Sequence, residues 1–524
     1  MSRGEEVAKR DEELLAQLGY KQEFKREFTP LEVFAVAFSF MGPLPSLASV
    51  LVYSIPNGGP AAMVWGWLVA SAFIFTTGLS IAELASAAPT AGGVYFWTHS
   101  FASPRWRNFL CWLVGYANVT GYIAGVAAID WSCAVQITAA VSIGSGQTYN
   151  ATNSQIYGIY VAILLSHALI CTLATSFLAR VQRVYLAINI CLCFVVIIGL
   201  PLATPKQYMN MPSFAPGSFD NLNGWPDGFA FILSFIAPLW TVSAFDASVH
   251  ISEEASNAAT AVPCAIVCSS IIGILLGWAM NVALAFCMGT DLEYLLSSPI
   301  GQPMAQIFFN GFGQKGTLVL WAFVVIAQYT MGSSNVLVAS RQIFAYSRDH
   351  ALPFSSTLSR VNKSTGAPVN AVWFIVICAS LLGLLAFAGT QAISAVFPLA
   401  VSAFYVAYTI AIAARWLGDN NFKRGPFHLG IFSLPISIIA VIFMPFMLVI
   451  FLFPTVPSTS ATTMNYTVVV LGGVLGLSLM WYYLPVYGGM HWFSGPVPNI
   501  ERRNGDSPDF ITQDESGGKG VLKA

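Results

Sequence analysis

The chain has 524 residues, of which 56% are hydrophobic and only 9% charged, with a formal net charge of −1. A water-soluble domain carries about 25% charged residues, so this much apolar surface cannot be hidden in a soluble core. The composition excludes a soluble enzyme and gives no reason to expect a nucleic-acid partner; the expected solvent is the lipid bilayer.

Residues 1–30 are polar, of mixed charge, and lack the apolar run of a signal peptide. Apolar stretches of about 20 residues then predict spans near 31–55, 61–86, 109–141, 157–178 and 184–203. A second set follows near 228–250, 263–288, 317–345, 369–388 and 392–414, and a last pair near 433–453 and 466–487. The expected fold is an all-α integral membrane protein of 12 transmembrane helices. Polar residues 488–524 close the chain as a tail.

With the N-terminus placed in the cytoplasm, 21 of the 23 lysines and arginines fall on the cytoplasmic side, and only Lys206 and Lys315 fall outside. Basic residues are retained on that side of a membrane, so the partition predicts cytoplasmic termini and an even span count. Two sequons, at Asn150 and Asn465, fall in expected outside loops as candidate glycosylation sites. The nine cysteines all lie in apolar segments and show neither a disulfide framework nor metal-ligand spacing. No metal or cofactor is expected.

Two spans are interrupted. In "FSFMGPLPSLAS" (38–49), Gly42, Pro43 and Pro45 break the first span at membrane depth. In the sixth, "FIAPLWTVSAFDASVH" (235–250) carries Pro238 and then Thr241, Ser243, Asp246 and Ser248. Broken segments at matching places in two halves point to a transporter binding site. A broken helix presents free N–H and C=O groups that can hold a zwitterion or cation which hydrocarbon would reject.

Of the 24 acidic residues, only Asp130 and Asp246 lie well inside predicted spans. A carboxylate at depth is costly and marks function by default. Asp246 is a candidate proton carrier, cation counter-charge or structural anchor; Asp130 is either a helix–helix contact or part of an outer gate; Glu254 is a second coupling candidate. His167 reads as a packed residue.

Three stretches carry a resemblance. "AELASAAPTAGGVYFW" (82–97), "SEEASNAATAVPCAI" (252–266) and "ASRQIFAYSRDHALPFSSTLSRVNKSTGAPVNAV" (339–372) resemble motifs of the amino acid–polyamine–organocation superfamily. "AFDASVHISEEA" and "FSFMGPLPSLAS" look like its fungal amino acid/choline transporter family, which includes γ-aminobutyrate and choline permeases. The resemblance implies a five-plus-five inverted repeat (31–203 and 228–414) with broken helices 1 and 6, an added pair (433–487), and alternating access. It implies a substrate site at Met41, Gly42, Pro43 and Leu44 in the first break and at Trp240, Thr241, Ser243 and Phe245 in the sixth. Asn118, Thr120 and Tyr122 of the third span, and Gln328, Tyr329 and Ser333 of the eighth, would flank it.

One departure carries chemistry. Many relatives place Gly-Ser-Gly at the first break, whose N–H groups hold an α-carboxylate; here Gly42 is followed by Pro43, Leu44 and Pro45. Two donors are missing, which favours a substrate whose carboxylate is displaced from its amine, such as γ-aminobutyrate, or one without a carboxylate, such as choline or a polyamine. A cation would be drawn to sixth-span carbonyls, to the face of Trp240 or Phe245, and to Asp246. The resemblance further implies a permease coupled to protons, expected in the plasma membrane or alternatively the vacuolar membrane. A nutrient sensor with the same ligand is the rival, and a membrane enzyme finds no support in any catalytic spacing.

Overall fold

A computed structural model describes residues 3–22, 26, 28–173, 175–420, 422–460 and 464–498. Residues 499–524 of the expected C-terminal tail, with Arg502, Arg503, Lys519 and Lys523, lie outside the described residues, as does Lys25. Among the described residues the chain is helical throughout, with two isolated bridges, Phe28–Ala255 and Asn57–Asn221, and no sheet. Lipid dictates this, because a helix satisfies its backbone within the segment.

Among the described residues ten helices are long and apolar enough to cross a bilayer, from Pro30–Ser54 to Gly430–Ile450, and they overlap ten of the expected spans. The expected sixth and twelfth spans are shorter apolar helices, Asp227–Thr241 and Thr467–Tyr482. Pro303–Arg348 is two helices joined at a non-helical Gly313 (φ 68°), so the eighth segment proper begins just after Gly313, close to where its hydropathy suggests, and a separate helix starting at Pro303 precedes it. Between the second and third segments, Gly93–Phe101 forms a short buried helix.

Both described ends of the chain meet on one face. The Val497 N–H donates to Asp349 (3.0 Å), and a Cβ at Gly19 would lie 3.1 Å from Pro498. An even number of crossings, as expected from the sequence, is consistent with this arrangement. The N-terminal helix Arg3–Gln17 lies across this terminal face, where Asp11 accepts the Asn257 N–H at 2.7 Å.

Ion pairs gather on the same face and explain the acidic residues near segment ends. Arg415 grips Glu83 with both guanidinium nitrogens (2.7 and 3.1 Å), and Ser433 donates to the same carboxylate. Arg341 donates to Glu254 at 2.8 Å, and Arg348 lies 3.6 Å from Glu253. Glu32 receives the Thr29 N–H and pairs with Arg183 at 3.1 Å. Inside the bundle, packing replaces the hydrophobic effect as the organising force, and small residues let helices approach. The third segment, Arg107–Gly144, uses Gly115 against Tyr346, Gly121 against Phe404 and Gly125 against Asn335.

The same logic joins the second and seventh segments, where a Cβ on Gly277 would stand 2.0 Å from the Trp67 ring. Gly277→Ala is expected to lower stability by about 1–3 kcal/mol, the usual cost of overpacking. Gly472→Ala, with nothing within 4 Å, is expected to leave the thermal midpoint in detergent unchanged. Equal midpoints for both variants would contradict the packing.

Candidate functional site

The first segment is helical to Met41, turns through Gly42 in the left-handed region (φ 44°, ψ 70°) and resumes as Pro43–Ser54. Only glycine fits that turn, because a Cβ would lie 2.9 Å from the Met331 sulfur and 3.0 Å from Pro45. The polar groups freed here can be followed one by one. Gly42 spends its N–H on Phe38 O (3.0 Å). Pro43 and Pro45 have none. The Leu44 N–H is turned to the Cys193 sulfur of the fifth segment. On the acceptor side, Pro43 cannot serve Ser39 O and Pro45 cannot serve Met41 O. The Ser46 hydroxyl caps Met41 O at 2.6 Å, and Ser39 O keeps no helical donor. The first break is thus a site of carbonyls without free N–H groups.

The sixth segment breaks with the opposite polarity. Ile236–Thr241 ends at Val242, whose N–H returns to Pro238 O (2.8 Å), and Ala247–His250 resumes the helix. Ala244 is held at φ 52°, a conformation uncommon for a residue with a side chain. The Trp240 carbonyl is capped by the Ser243 hydroxyl at 2.7 Å. Among the described residues, the N–H groups of Ser243, Ala244, Phe245 and Asp246 have no acceptor. The two interrupted segments cross: Ile236–Thr241 packs on Pro43–Ser54, and Ala247–His250 packs on Pro30–Met41. Buried polar atoms without partners among the described residues occur throughout the bundle, and those in these segments and the eighth include Ser39 Oγ, Trp240 Nε1, Thr241 Oγ1 and both ends of the Asn335 amide. Buried polar groups are rarely left so.

Asp246 is the hub beside the sixth break. Its Oδ1 accepts from Tyr122 (2.9 Å) and Tyr408 (2.5 Å), and its Oδ2 accepts from Asn118 (2.9 Å) and faces His250 Nε2 at 3.0 Å. One carboxylate so ties the third, sixth and tenth segments together. A carboxylate has about four lone-pair positions, and all are used, which leaves nothing for a substrate cation. His250 is bonded at its other end, with Nδ1 2.6 Å from the Ala91 carbonyl. A carbonyl only accepts, so Nδ1 carries a hydrogen. Ala91 in turn gives its N–H to Glu253 (3.0 Å), which links the hub to the ion pairs of the terminal face.

The other expected residues divide. Gly42, Pro43, Trp240, Thr241 and Ser243 lie at the breaks. Leu44 is there through its backbone, and Met41 through its carbonyl, its sulfur lying instead by Gly273 of the seventh segment. Asn118 and Tyr122 serve Asp246. Phe245 packs against Gly78 of the second segment. Gln328 is consumed by Ile129 O (2.9 Å), Gln136 (3.3 Å) and Ser49 (3.4 Å). Tyr329 is not brought to the break: its hydroxyl meets Ser166 (2.7 Å) and its ring lies on His167. On a helix, adjacent residues face different ways, and Met331 is the one that touches Gly42. Asp130 pairs with His167 and Glu254 with Arg341, both away from the hub. Asn150 is exposed, whereas the Asn465 amide is tied to the carbonyls of Phe451 and Phe453 (2.7 and 2.9 Å). Sequence reasoning missed His250, whose position four residues after Asp246 was a readable signal. It also missed Tyr408 and Ser46, which carried none.

On the face opposite the termini, a cavity of about 70 Å³ opens between the first, sixth and tenth segments, lined by Tyr53, Asn57, Ile236, Gln391 and Asn465. Crossed, interrupted helices with opposed polar groups inside a multi-pass bundle define a membrane transporter. Residues 28–475 match the amino acid permease family, and the chain belongs to it. Its relatives include an uncharacterised amino-acid permease of Schizosaccharomyces pombe, 37% identical over 95% of this chain and 90% of that one. The GABA-specific permease of Saccharomyces cerevisiae is 35% identical over 94% and 86% of the two chains, and amino-acid permease 2 of Neurospora crassa is 35% identical over 93% and 89%. The chain is accordingly a transport protein and not an enzyme.

Ser46→Ala would strip the Met41 carbonyl of its donor where water cannot replace it. The expected loss is about 1–3 kcal/mol, read as a lowered thermal midpoint, with Ser46→Thr closer to the parent. Identical midpoints for all three proteins would contradict the capping role.

Proposed function

We propose that the protein is a proton-coupled secondary transporter of a small amine-bearing amino acid, γ-aminobutyrate before α-amino acids, working by alternating access. The observation that carries this reading is the polarity of the two breaks. The first offers carbonyls and no free N–H, and the sixth offers the N–H groups of residues 243–246 without acceptors. A substrate amine is then served at the first break and its carboxylate at the sixth. An α-amino acid, whose charged groups share one carbon, needs donors and acceptors side by side. A longer zwitterion spans from one break to the other. Similarity to a permease named as GABA-specific points the same way. Choline and polyamines, the second reading, would leave the sixth-break donors unfilled.

Coupling is assigned to Asp246 with His250. The 3.0 Å contact between Asp246 Oδ2 and His250 Nε2 requires a proton, since His250 spends its other hydrogen on Ala91 O. Loss of that proton sets a carboxylate against a nitrogen lone pair and loosens the connection through Ala91 to Glu253 on the terminal face. That face is taken as cytoplasmic from the distribution of basic residues, the membrane as the plasma membrane, and segments 31–203 and 228–414 as the two repeats that rock against each other.

Uptake of radiolabelled γ-aminobutyrate into proteoliposomes tests this. An inward proton gradient is expected to accelerate uptake several-fold, and Asp246→Asn to abolish the response; equal rates with and without a gradient in the parent protein would overturn coupling. In a competition panel, Pro43→Ser with Leu44→Gly restores donors to the first break and is expected to shift preference towards α-amino acids about tenfold, or 1.4 kcal/mol. Unchanged selectivity in an active variant would overturn the account of the break.

A further inference from the structure

A second Asp–His pair lies buried in the bundle, away from the hub. Asp130 of the third segment and His167 of the fourth are both fully buried, with Oδ2 3.1 Å from Nδ1. Their other polar atoms, Asp130 Oδ1 and His167 Nε2, have no partner among the described residues. Asp130 is twelve residues beyond Asn118 on one continuous helix, so the two pairs are separated by about 18 Å along it.

We propose that Asp130 and His167 form a second proton-binding site, whose occupancy is read at the first break. A hydrogen bond between Oδ2 and Nδ1 already requires one proton. With only that one, the pair is a carboxylate beside a neutral imidazole and carries a net negative charge. Among the described residues no lysine or arginine pairs with either group. The titratable groups that face it are Cys133 on the third segment, Tyr160 and Cys171 on the fourth and Tyr329 on the eighth, with Tyr185 of the fifth beyond Tyr329. None of them supplies a positive charge, and the guanidinium on the far side of Cys171, Arg341 of the eighth segment, is paired with Glu254 at 2.8 Å. An uncompensated charge at such a place is strongly disfavoured, and one further proton, on the carboxyl group or on Nε2, makes the pair neutral overall.

The geometry also selects the ion. A Cβ on Gly332 of the eighth segment would stand 2.1 Å from Asp130 Oδ1 and 2.6 Å from the His167 ring. The free carboxylate oxygen is therefore pressed against the glycine backbone. A metal cation needs several oxygen ligands and room for them; a proton needs neither. The next residue, Met331, places its sulfur against Gly42 and 3.6 Å from Ser46 Oγ. The pair and the first break are thus the two sides of one dipeptide, Met331–Gly332. A change of charge at the pair pushes on the residue that fills the turn.

The test counts protons in the absence of substrate. Purified protein in lipid nanodiscs, in weakly buffered solution with an indicator dye, is taken from about pH 8 to about pH 5, the range in which histidine pairs change charge. Asp130→Asn is expected to take up about one proton fewer per chain than the parent, and Asp246→Asn to retain this proton. Gly332→Ala, which removes no titratable group, is expected to shift the midpoint of the same step. Should Asp130→Asn fail to fold, His167→Gln carries the count. An uptake curve that these two variants leave unchanged, or a step lost only with Asp246, overturns the proposal whether or not γ-aminobutyrate proves to be the substrate.

Discussion

A helix interrupted inside a bilayer must place every N–H and C=O it frees, because hydrocarbon offers no water to do so. The rest of the site follows from how this chain meets that demand in its first segment. Two prolines remove donors, Gly42 and Leu44 direct theirs at Phe38 and Cys193, and Ser46 restores a donor to Met41. What remains is a surface of acceptors. The sixth segment meets the same demand differently, capping a carbonyl with Ser243 and leaving four N–H groups free. The crossing of these segments brings an acceptor-rich break against a donor-rich one.

Around the breaks, buried charge is used sparingly and always with partners. Asp246 receives donors from three segments and reaches the terminal face through His250, Ala91 and Glu253. Breaking a buried pair by removing one member is far costlier than the pair's net stabilisation, so the proposed coupling role puts the proton where its loss is felt most. The contacts run from Asp246 through His250 and Ala91 to Glu253, which lies 3.6 Å from Arg348, and they are the route the proposed coupling would use.

Much of this was legible in the sequence, and the reasons are physical. Hydropathy marks segments because lipid punishes polarity, so most expected spans return within a few residues, the sixth and twelfth being shorter. The breaks were legible because proline and glycine act locally, and Asp130 and Asp246 because a carboxylate at depth is conspicuous. The direction in which each helix faces was not legible. Gln328 and Tyr329 read alike in sequence, yet one faces Ser49 and Gln136 while the other turns to Ser166 and His167. Tyr408 lies 162 residues from Asp246, and His167 looked like one more packed side chain until Asp130 stood beside it. Nor was it legible which polar groups each break leaves free, because that depends on side-chain caps such as Ser243 and Ser46.

The central claim is the division of labour between the breaks, and a structure of the protein with γ-aminobutyrate bound tests it most directly. The account predicts the substrate carboxylate at the N–H groups of residues 243–246 and the amine directed to the Ser39 carbonyl. A carboxylate seated instead on the first break, at residues 42–45, would contradict it.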